Sequence, residues 1–288
     1  MKQLLILQDP GVSRERTLAV AGRELPGWDV THGDIPDGHN ALLTVNSPVD
    51  SEKMKAVNGG MISVAFTGYD HVDMKAAGRH GVAVSNVPGY STNSVAELAF
   101  ALTVMSMRDP RKKHGIELHG KTVGIIGTGS IGSAAAALFN AASCRVLGWS
   151  RSEDPDFPGR YTGLSFLLEN SDVVSLHLPL MEKTKSFMNT ERFSMMKRGA
   201  ILVNTARGGL VEHTKLQELL LSGYLAGAGL DVTAPEPLPP ENILHRIPGV
   251  VITPHSGFNT EEALERRTLE ALKNVAAWSR GERRNRVD

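Results

Sequence analysis

Short apolar runs alternate with longer segments of helical periodicity along the whole chain. This alternation is typical of βαβ units that build a parallel sheet. In the first hundred residues it predicts four strands, each followed by a turn that contains glycine or proline. The predicted strands are Leu4–Leu7, Ala41–Val45, Ile62–Ala65 and Val82–Ser85. A helix is predicted over Ser94–Ser106, with Ser91 or Thr92 as its N-cap.

The alternation restarts after Met107–Gly120, a polar and charged connection that we interpret as a solvated surface between domains. The strands predicted beyond it are Val123–Ile126, Arg145–Trp149, Val173–Leu176, Ala200–Asn204, Ala226–Asp231 and Val250–Thr253. The predicted helices are Ile131–Asn140, His213–Ser222 and Glu261–Arg280. Six parallel strands joined by right-handed crossovers would form a doubly wound, dinucleotide-binding sheet.

Composition excludes several classes of protein. The 288 residues suggest two domains, and 31 basic residues balance 31 acidic ones, so no net charge attracts nucleic acid or an anionic membrane. The lone Cys144 allows neither an internal disulfide nor a cysteine zinc site, and no metal site is expected. No signal peptide or membrane span is recognisable, so we expect a cytoplasmic protein. The basic cluster Arg280–Arg286 is interpreted as a frayed, solvated tail.

A glycine-rich turn follows the first predicted strand of the second half. Gly127, Gly129, Ser130, Ile131 and Gly132 lie in a GxGxxG pattern between a buried run and an alanine-rich helix. The motif alone is weak, but this strand-turn-helix context favours a phosphate site over a turn without ligand. The glycines permit the tight turn, the approach of a diphosphate and close packing of helix on strand. The diphosphate would lie at the positive helix N-terminus.

The end of the next strand bears on the choice of cofactor. An acidic residue that binds the adenosine ribose is common about 20 residues after such a turn, but here Ser150, Arg151 and Ser152 occupy this place. These side chains could bind a 2′-phosphate that a carboxylate would repel. We therefore expect NADP(H) to be accepted and preferred; in the alternative, Arg151 stacks on adenine and NAD(H) also works.

Three further loops at predicted strand ends carry an arginine, an acid and a histidine. They are Asn204–Gly209, Gly229–Pro237 and Thr253–Gly257. Ligands bind at the carboxyl ends of strands in open parallel sheets. Alone, the arginine or the acid would be assigned to a surface ion pair and the histidine to a buried structural role. Together they suit reduction of a 2-oxo acid, with arginine on the carboxylate and histidine as proton donor.

In these motifs the sequence resembles the D-isomer-specific 2-hydroxyacid dehydrogenase family, of the glycerate dehydrogenase and glyoxylate/hydroxypyruvate reductase type. The resemblance runs from about Ile62 onward. Besides the glycine-rich turn, the matching motifs are GYDHVD (Gly68–Asp73), NVPGYSTNSVAE (Asn86–Glu97), SDVVSLHLPL (Ser171–Leu180), NTARGG (Asn204–Gly209), AGLDVTAPEP (Ala228–Pro237) and TPHSG (Thr253–Gly257). The resemblance implies an α/β fold of two doubly wound parallel-sheet domains. A Rossmann nucleotide-binding domain (95–267) would be inserted in a flavodoxin-like substrate domain (1–94 and 268–288), with a cleft between them that closes over the ligands.

The resemblance also implies roles for single residues. Arg207 would bind the substrate, His255 would be the general acid/base, and Glu236 would be its carboxylate partner. Asp231 would help to position the cofactor near the nicotinamide. Formate dehydrogenases resemble this pattern with glutamine in place of the glutamate. Glu236 therefore argues for a reaction that transfers a proton with the hydride.

Further positions follow from the same motifs. Backbone amides of Thr67, Gly68 and Tyr69 would hold the substrate carboxylate, and Tyr90 would line the substrate pocket. His177 and Thr205 are expected in the cofactor cleft. For six further histidines the sequence predicts no chemistry: His71, His80, His114, His119, His213 and His245.

The expected function is NAD(P)-dependent reduction of a small 2-oxo acid, glyoxylate or hydroxypyruvate, to the D-2-hydroxy acid, with NADPH favoured. The alternatives are a D-3-phosphoglycerate or other D-2-hydroxyacid dehydrogenase, or a non-catalytic NAD(P)-sensing protein. No basic cluster near Gly68 or Tyr90 awaits a substrate phosphate. A homodimer is expected, with an interface altered by the short Met107–Gly120 segment, and no regulatory domain is expected after the last helix.

Overall fold

The computed structural model describes residues 1–34, 37–57 and 59–288. It has an α/β fold with two parallel sheets, one of five strands and one of seven. The chain divides into two compact units, Met1–Ser91 with Asn259–Asp288, and Thr92–Phe258. The boundaries drawn from the sequence lie after residues 94 and 267. No helix in the described ranges combines the length and apolar character that a membrane crossing requires.

The first unit contains the five-stranded sheet, in the order β2-β1-β3-β4-β5. Its elements are β1 (Gln3–Ile6), α1 (Arg14–Glu24), β2 (Asp29–His32), β3 (Ala41–Thr44), α2 (Ser51–Ala56), β4 (Met61–Val64), α3 (Met74–His80), β5 (Ala83–Ser85) and α9 (Glu261–Ser279). Every residue of β3 and β4 is buried, because helices cover both faces of a parallel sheet. Helix α9 packs against α1 and β4, and its Ala271 carbonyl accepts a hydrogen bond from the buried Ser63 hydroxyl at 2.8 Å.

Strand β2 is absent from the sequence prediction. It is an edge strand paired only with β1, and all four of its residues are half-buried. Its sequence, DVTH, has a single purely aliphatic residue, so the apolar run that marks a buried strand is missing.

The second unit contains the seven-stranded sheet, in the order β12-β11-β10-β9-β6-β7-β8. Its elements are α4 (Thr92–Met107), β6 (Thr122–Ile126), α5 (Ser130–Ala141), β7 (Arg145–Trp149), β8 (Arg160–Tyr161), α6 (Leu164–Asn170), β9 (Val173–Leu176), α7 (Thr190–Met195), β10 (Ile201–Asn204), α8 (His213–Leu221), β11 (Gly227–Leu230) and β12 (Val250–Ile252). The six predicted strands are present, and the short edge strand β8 adds a seventh. The carboxyl ends of β6, β7, β9, β10, β11 and β12 carry the loops of the candidate site.

The charged connection after α4 is exposed over most of its length, as interpreted from the sequence, but it lies within the second unit rather than between domains. Asp109 is only 5% exposed and accepts hydrogen bonds from the Arg111 side chain and from the Gly249 amide at 2.7 Å. Arg111 also donates to the carbonyl of Val250 at 2.7 Å. The connection is therefore fastened to the start of β12 within the second unit, because its charges satisfy each other and the strand backbone.

The basic cluster Arg280–Arg286 is not a frayed tail, because its last residues pair with β5. Arg286 forms an antiparallel bridge with Ser85 of β5, and Val287 donates its amide hydrogen to the Val84 carbonyl at 2.9 Å. The Arg286 guanidinium pairs with Asp288, so part of the positive charge is neutralised within the tail itself. The tail thus continues the first unit's sheet beyond β5, at an edge that would otherwise have unpaired backbone groups.

Candidate active site

The glycine-rich turn has the geometry of a phosphate cradle. Gly127 has φ +95° and lies so close to His177 that a Cβ would approach the His177 carbonyl oxygen to 2.5 Å. A Cβ on Gly132 would lie 2.0 Å from the Gly127 oxygen, so α5 packs directly on the turn. A Cβ on Gly129 would have no protein atom within 4 Å, and Gly129 caps α5 without a side-chain hydrogen bond. The first turn of α5 therefore has room for an external anion.

The segment after β7 bears the residues predicted for the ribose end of a dinucleotide. Arg151 and Ser152 are exposed, and Ser150 is half-buried. Within the described ranges, Arg151 forms no ion pair. The Asp154 carboxylate, the nearest downstream aspartate, accepts the Asp156 amide at 3.0 Å. The Arg151 charge is therefore available for a phosphate.

His177 and Thr205, both expected in the cofactor cleft, each follow a strand of the second unit. His177 follows β9 and lies beside the glycine-rich turn, and Thr205 follows β10. His177 donates its amide to Ile126 of β6, and its Nε2 lies 2.9 Å from the Ser175 hydroxyl. Burial lowers the pKa of His177 to about 4, so the ring is neutral at physiological pH. The Thr205 hydroxyl is buried and has no hydrogen-bond partner in the described part of the chain. An orphaned hydroxyl at a strand end fits a site that binds a polar ligand.

His255 and Glu236 form the central pair of the site. Nδ1 of His255 lies 2.5 Å from Oε1 of Glu236, with side-chain exposures of 29% and 41%. Because a carboxylate only accepts, Nδ1 carries the hydrogen and Nε2 is the second ring nitrogen. His255 has φ +52°, a left-handed conformation that is uncommon for a residue with a side chain. Such backbone geometry concentrates at functional sites, where the surrounding structure holds it.

Asp231 holds the segment that contains this histidine. Its buried Oδ1 accepts the Thr253 hydroxyl at 2.6 Å and the Ser256 amide at 2.8 Å. Its Oδ2 accepts the Gly257 amide at 2.9 Å, and its backbone carbonyl accepts the His255 amide at 2.8 Å. The structure thus engages both carboxylate oxygens in orienting the His255 loop, whereas the sequence suggested only a position near the cofactor.

The Arg207 loop begins at the end of β10. The Asn204 side chain closes this loop: its Oδ1 accepts the Ala206 amide at 3.0 Å and its Nδ2 donates to the Arg207 carbonyl at 2.9 Å. Arg207 donates from Nη1 to the Ala206 carbonyl and has no acidic partner within the described ranges. A half-buried guanidinium without an acid is suited to bind a substrate carboxylate.

The Arg207 loop contacts the loop that contains Glu236. A Cβ on Gly208 would lie 2.0 Å from the Thr233 carbonyl oxygen, so only glycine fits there. His213 lies across the same junction, with Nε2 3.3 Å from the Gly208 oxygen and 3.2 Å from the Ala234 nitrogen. Burial lowers the pKa of His213, which favours the neutral ring, and Nε2 then either accepts the Ala234 hydrogen or donates to the Gly208 oxygen, depending on the tautomer. The sequence predicts no role for His213, because no motif signals a contact between two loops.

The predicted carboxylate-binding residues lie in the first unit. In the described ranges, the backbone amides of Thr67, Gly68 and Tyr69 donate to no other protein group. The Asn86 side chain holds this loop, because it donates to the Thr67 carbonyl at 2.8 Å. Three amide hydrogens without a protein acceptor in the described ranges are available to an anionic ligand. Tyr90 is buried in the same unit, and its carbonyl accepts the Arg266 side chain at 2.9 Å.

A phosphate cradle on a doubly wound sheet, with a histidine–carboxylate pair and an unpaired arginine, defines a dinucleotide-dependent oxidoreductase. The model of the D-isomer specific 2-hydroxyacid dehydrogenase NAD binding domain matches residues 92–257. A relative from Thermofilum pendens named glyoxylate reductase is 34% identical, over 96% of this chain and 90% of its own length. One from Thermotoga maritima named hydroxypyruvate reductase is 36% identical, over 75% of this chain and 76% of its own length. A solved structure from Thermus thermophilus has a TM-score of 0.88 at 36% identity, with 100% of both chains covered.

The chain therefore belongs to the D-isomer-specific 2-hydroxyacid dehydrogenase family, as the sequence motifs indicated. It is an NAD(P)-dependent oxidoreductase that acts on CH–OH donors, and its cofactor is NAD(H) or NADP(H). The open face at Gly129, the uncapped start of α5 and the orphaned Thr205 hydroxyl all fit such a cofactor. When bound, the dinucleotide supplies or accepts the hydride.

Proposed function

We propose that this protein reduces a small 2-oxo acid, glyoxylate or hydroxypyruvate, to the D-2-hydroxy acid, with His255 as the proton donor. The observation that carries the proposal is the 2.5 Å contact between His255 Nδ1 and Glu236 Oε1 in the same unit as Arg207, which lacks an acidic partner in the described ranges. A pair of this kind orients an imidazole for proton transfer, while the free guanidinium supplies the charge that a carboxylate substrate needs.

In this proposal each residue has one task. The reduction adds a hydride to the carbonyl carbon and a proton to the carbonyl oxygen, and the proton comes from His255 Nε2. Glu236 stabilises the doubly protonated ring before transfer through the hydrogen bond at Nδ1. Arg207 binds the substrate carboxylate and polarises the ketone. In the first unit, the amides of Thr67, Gly68 and Tyr69 are available to bind a carboxylate, as the resemblance to the family implies.

Several observations favour a small substrate and a catalytic role. The relatives described above are named for reduction of glyoxylate and of hydroxypyruvate. The segment around Gly68 has no lysine or arginine between Phe66 and Asp73, where a substrate phosphate would require one, whereas Arg266 and Arg267 lie against Tyr90. A protein that only senses NAD(P) would have no use for the His255–Glu236 contact.

We also propose that NADPH is the preferred cofactor. Arg151 is exposed and, within the described ranges, unpaired beside Ser150 and Ser152, and these groups can bind a 2′-phosphate. Within the described ranges, the carboxylates of the neighbouring Glu153 and Asp156 accept no hydrogen bond, and their negative charge opposes this preference. Replacement of Arg151 by alanine is expected to raise the KM for NADPH about tenfold or more, as for loss of a charged hydrogen bond, with little change for NADH.

A substrate panel tests the proposed reaction. NADPH and NADH oxidation is measured with glyoxylate, hydroxypyruvate, pyruvate and 3-phosphohydroxypyruvate, in the wild type and in Arg151→Ala. We expect the highest kcat/KM with NADPH and one of the first two acids. A preference for the phosphorylated acid would support the D-3-phosphoglycerate alternative. Nucleotide binding without turnover of any acid would support a sensing protein, and equal use of both cofactors in both variants would refute the role of Arg151.

A further inference from the structure

The hydroxyl of Tyr161 joins two segments of the candidate cofactor site. Its oxygen lies 2.9 Å from the Thr128 hydroxyl and accepts the Asp154 amide hydrogen at 2.8 Å. Thr128 is the residue between the first two glycines of the phosphate turn. Asp154 lies in the connection between β7 and β8, three residues after Arg151. A single hydroxyl thus contacts the diphosphate end and the ribose end of the site.

Packing fixes the Tyr161 ring independently of this hydroxyl. Tyr161 lies in the edge strand β8, in register with Gly148 of β7. Its ring packs on that of Phe157 at a centroid distance of 5.0 Å. Phe157 in turn covers Gly148, where a Cβ would lie 2.4 Å from the Phe157 ring. Removal of the hydroxyl alone therefore leaves the aromatic packing in place.

The two segments that meet at Tyr161 have few other links. Gly127 donates its amide to the Trp149 carbonyl at 2.8 Å, which joins them at the base of the strands. The Ser133 hydroxyl donates to the Thr128 carbonyl at 3.0 Å, which stiffens the phosphate turn from the side of α5. Neither contact reaches the far end of the Arg151 segment. In the described ranges, that end is tied to the phosphate turn through Tyr161.

We propose that Tyr161 is a positioning residue that sets the spacing between the phosphate turn and Arg151, and thereby the preference for NADPH. The inference rests on the proposed role of Arg151 at the 2′-phosphate. Without the hydroxyl, the Asp154 amide loses its acceptor and the exposed segment gains conformational freedom, which must be lost again when the 2′-phosphate binds. NADH makes no 2′-phosphate contact, so its binding depends less on the order of this segment.

The test compares Tyr161→Phe with Tyr224→Phe. Tyr224 is a matched control in the same unit, because its hydroxyl donates to the Met196 carbonyl at 2.8 Å, away from the glycine-rich turn. Dissociation constants for NADPH and NADH, and KM and kcat with each, are measured on all variants. For Tyr161→Phe we expect NADPH affinity to fall about five- to tenfold, the effect of one or two neutral hydrogen bonds. NADH affinity should change less than about twofold, and the loss should appear in KM rather than in kcat.

Two results would overturn the inference. Equal weakening of NADPH and NADH binding in Tyr161→Phe would show that the hydroxyl serves only the phosphate turn, which both cofactors share. Unchanged NADPH affinity in this variant would show that Tyr161 contributes only packing. Arg151→Ala separates this from failure of the proposed function. If Arg151→Ala leaves NADPH affinity intact, the 2′-phosphate role itself fails. If it weakens NADPH binding while Tyr161→Phe does not, only the inference fails. In the double variant, losses smaller than the sum of the single ones are expected.

Discussion

One buried carboxylate, that of Asp231, orders the loop in which His255 lies. It accepts two backbone amides and a threonine hydroxyl, so the whole Thr253–Gly257 segment is built around its oxygens. His255 itself is held in a left-handed conformation at the centre of that segment. The orientation of His255 therefore depends on a residue whose side chain does not contact the imidazole ring.

Replacement of Asp231 by asparagine tests this dependence. An amide retains one acceptor oxygen, so the Ser256 or Gly257 amide loses its partner and a buried donor remains unsatisfied, at a cost of about 1–3 kcal/mol. We expect kcat for 2-oxo acid reduction to fall about tenfold or more, since a small misplacement of a catalytic group has a large effect. Steady-state kinetics with saturating cofactor measures this.

Asp73→Asn is the matched control for that substitution. Asp73 caps α3 by accepting the Ala76 amide at 2.9 Å, and asparagine caps helices about as well as aspartate. Its activity and stability should stay close to the wild type. An Asp231→Asn enzyme with unchanged kcat would contradict the role given to Asp231.

At the scale of residues, sequence motifs indicate the candidate catalytic side chains but not the residues that hold them in place. Arg207, Glu236 and His255 stand in motifs that a reader can recognise, and the structure brings Glu236 and His255 into contact. Asn204 could have been noticed, because asparagine at a strand end often bonds to the following loop. The His213 contact with the Gly208 and Ala234 backbone joins loops far apart in sequence, and no local pattern encodes such a contact.

The elements of the two sheets follow the apolar pattern wherever a strand is buried on both faces. Strands β7 and β9 have the predicted bounds, because neighbours cover them on both sides. The edge strands β2 and β8 lack this apolar pattern. Their residues are of mixed polarity and partly exposed to solvent, and each strand pairs with one neighbouring strand. The apolar pattern does not reveal that Asp109 in the connection after α4 is buried, because its contact with Gly249 joins segments far apart in the chain.

The Asp109–Arg111 pair is expected to stabilise the second unit. Hydrogen bonds from the Arg111 side chain and from the backbone amides of Arg111 and Gly249 hold the pKa of Asp109 well below its usual range. Asp109→Asn removes the buried negative charge from beside the partly exposed Arg111. We expect a loss of about 2 kcal/mol in the free energy of unfolding, and thermal denaturation measures it.

The control for this element is Arg16→Ala, which breaks an ion pair with Glu265 whose side chains are 54% and 58% exposed. Exposed pairs contribute about 0–1 kcal/mol, so its unfolding midpoint should hardly move. Equal midpoints for Asp109→Asn and the wild type would show that the connection is not fastened by this pair.

For the molecule as a whole, the neutral histidines give stability a defined pH dependence. Folding lowers the pKa of His177 from 6.5 to about 4, so below pH 6.5 the unfolded chain binds a proton that the folded chain does not. Stability is therefore full above this value and falls as the pH drops toward 4, by at most about 3 kcal/mol from this residue. His71 and His213, whose pKa values burial also lowers, act in the same direction.

Chemical denaturation between pH 7 and pH 4 in the wild type and in His177→Asn measures this contribution. Over that interval the variant should lose less free energy of unfolding than the wild type, because asparagine does not titrate. Parallel profiles would contradict a folded-state pKa of His177 that lies below its ordinary value.

The balanced net charge of the whole chain conceals local demands for positive charge. Arg151 and Arg207 both lack acidic partners within the described ranges, although 31 basic and 31 acidic residues cancel overall. Composition could exclude a nucleic-acid surface, but only the fold shows which cations remain available for a phosphate or a carboxylate.

The central claim is that the His255–Glu236 pair donates the proton in reduction of a 2-oxo acid. The most direct measurement is kcat/KM for glyoxylate and hydroxypyruvate in His255→Ala, with NADPH affinity determined on the same preparation. We expect a fall of about 100-fold or more, the usual contribution of a general acid, with NADPH still bound. A His255→Ala enzyme that reduces these acids at the wild-type rate would contradict the account.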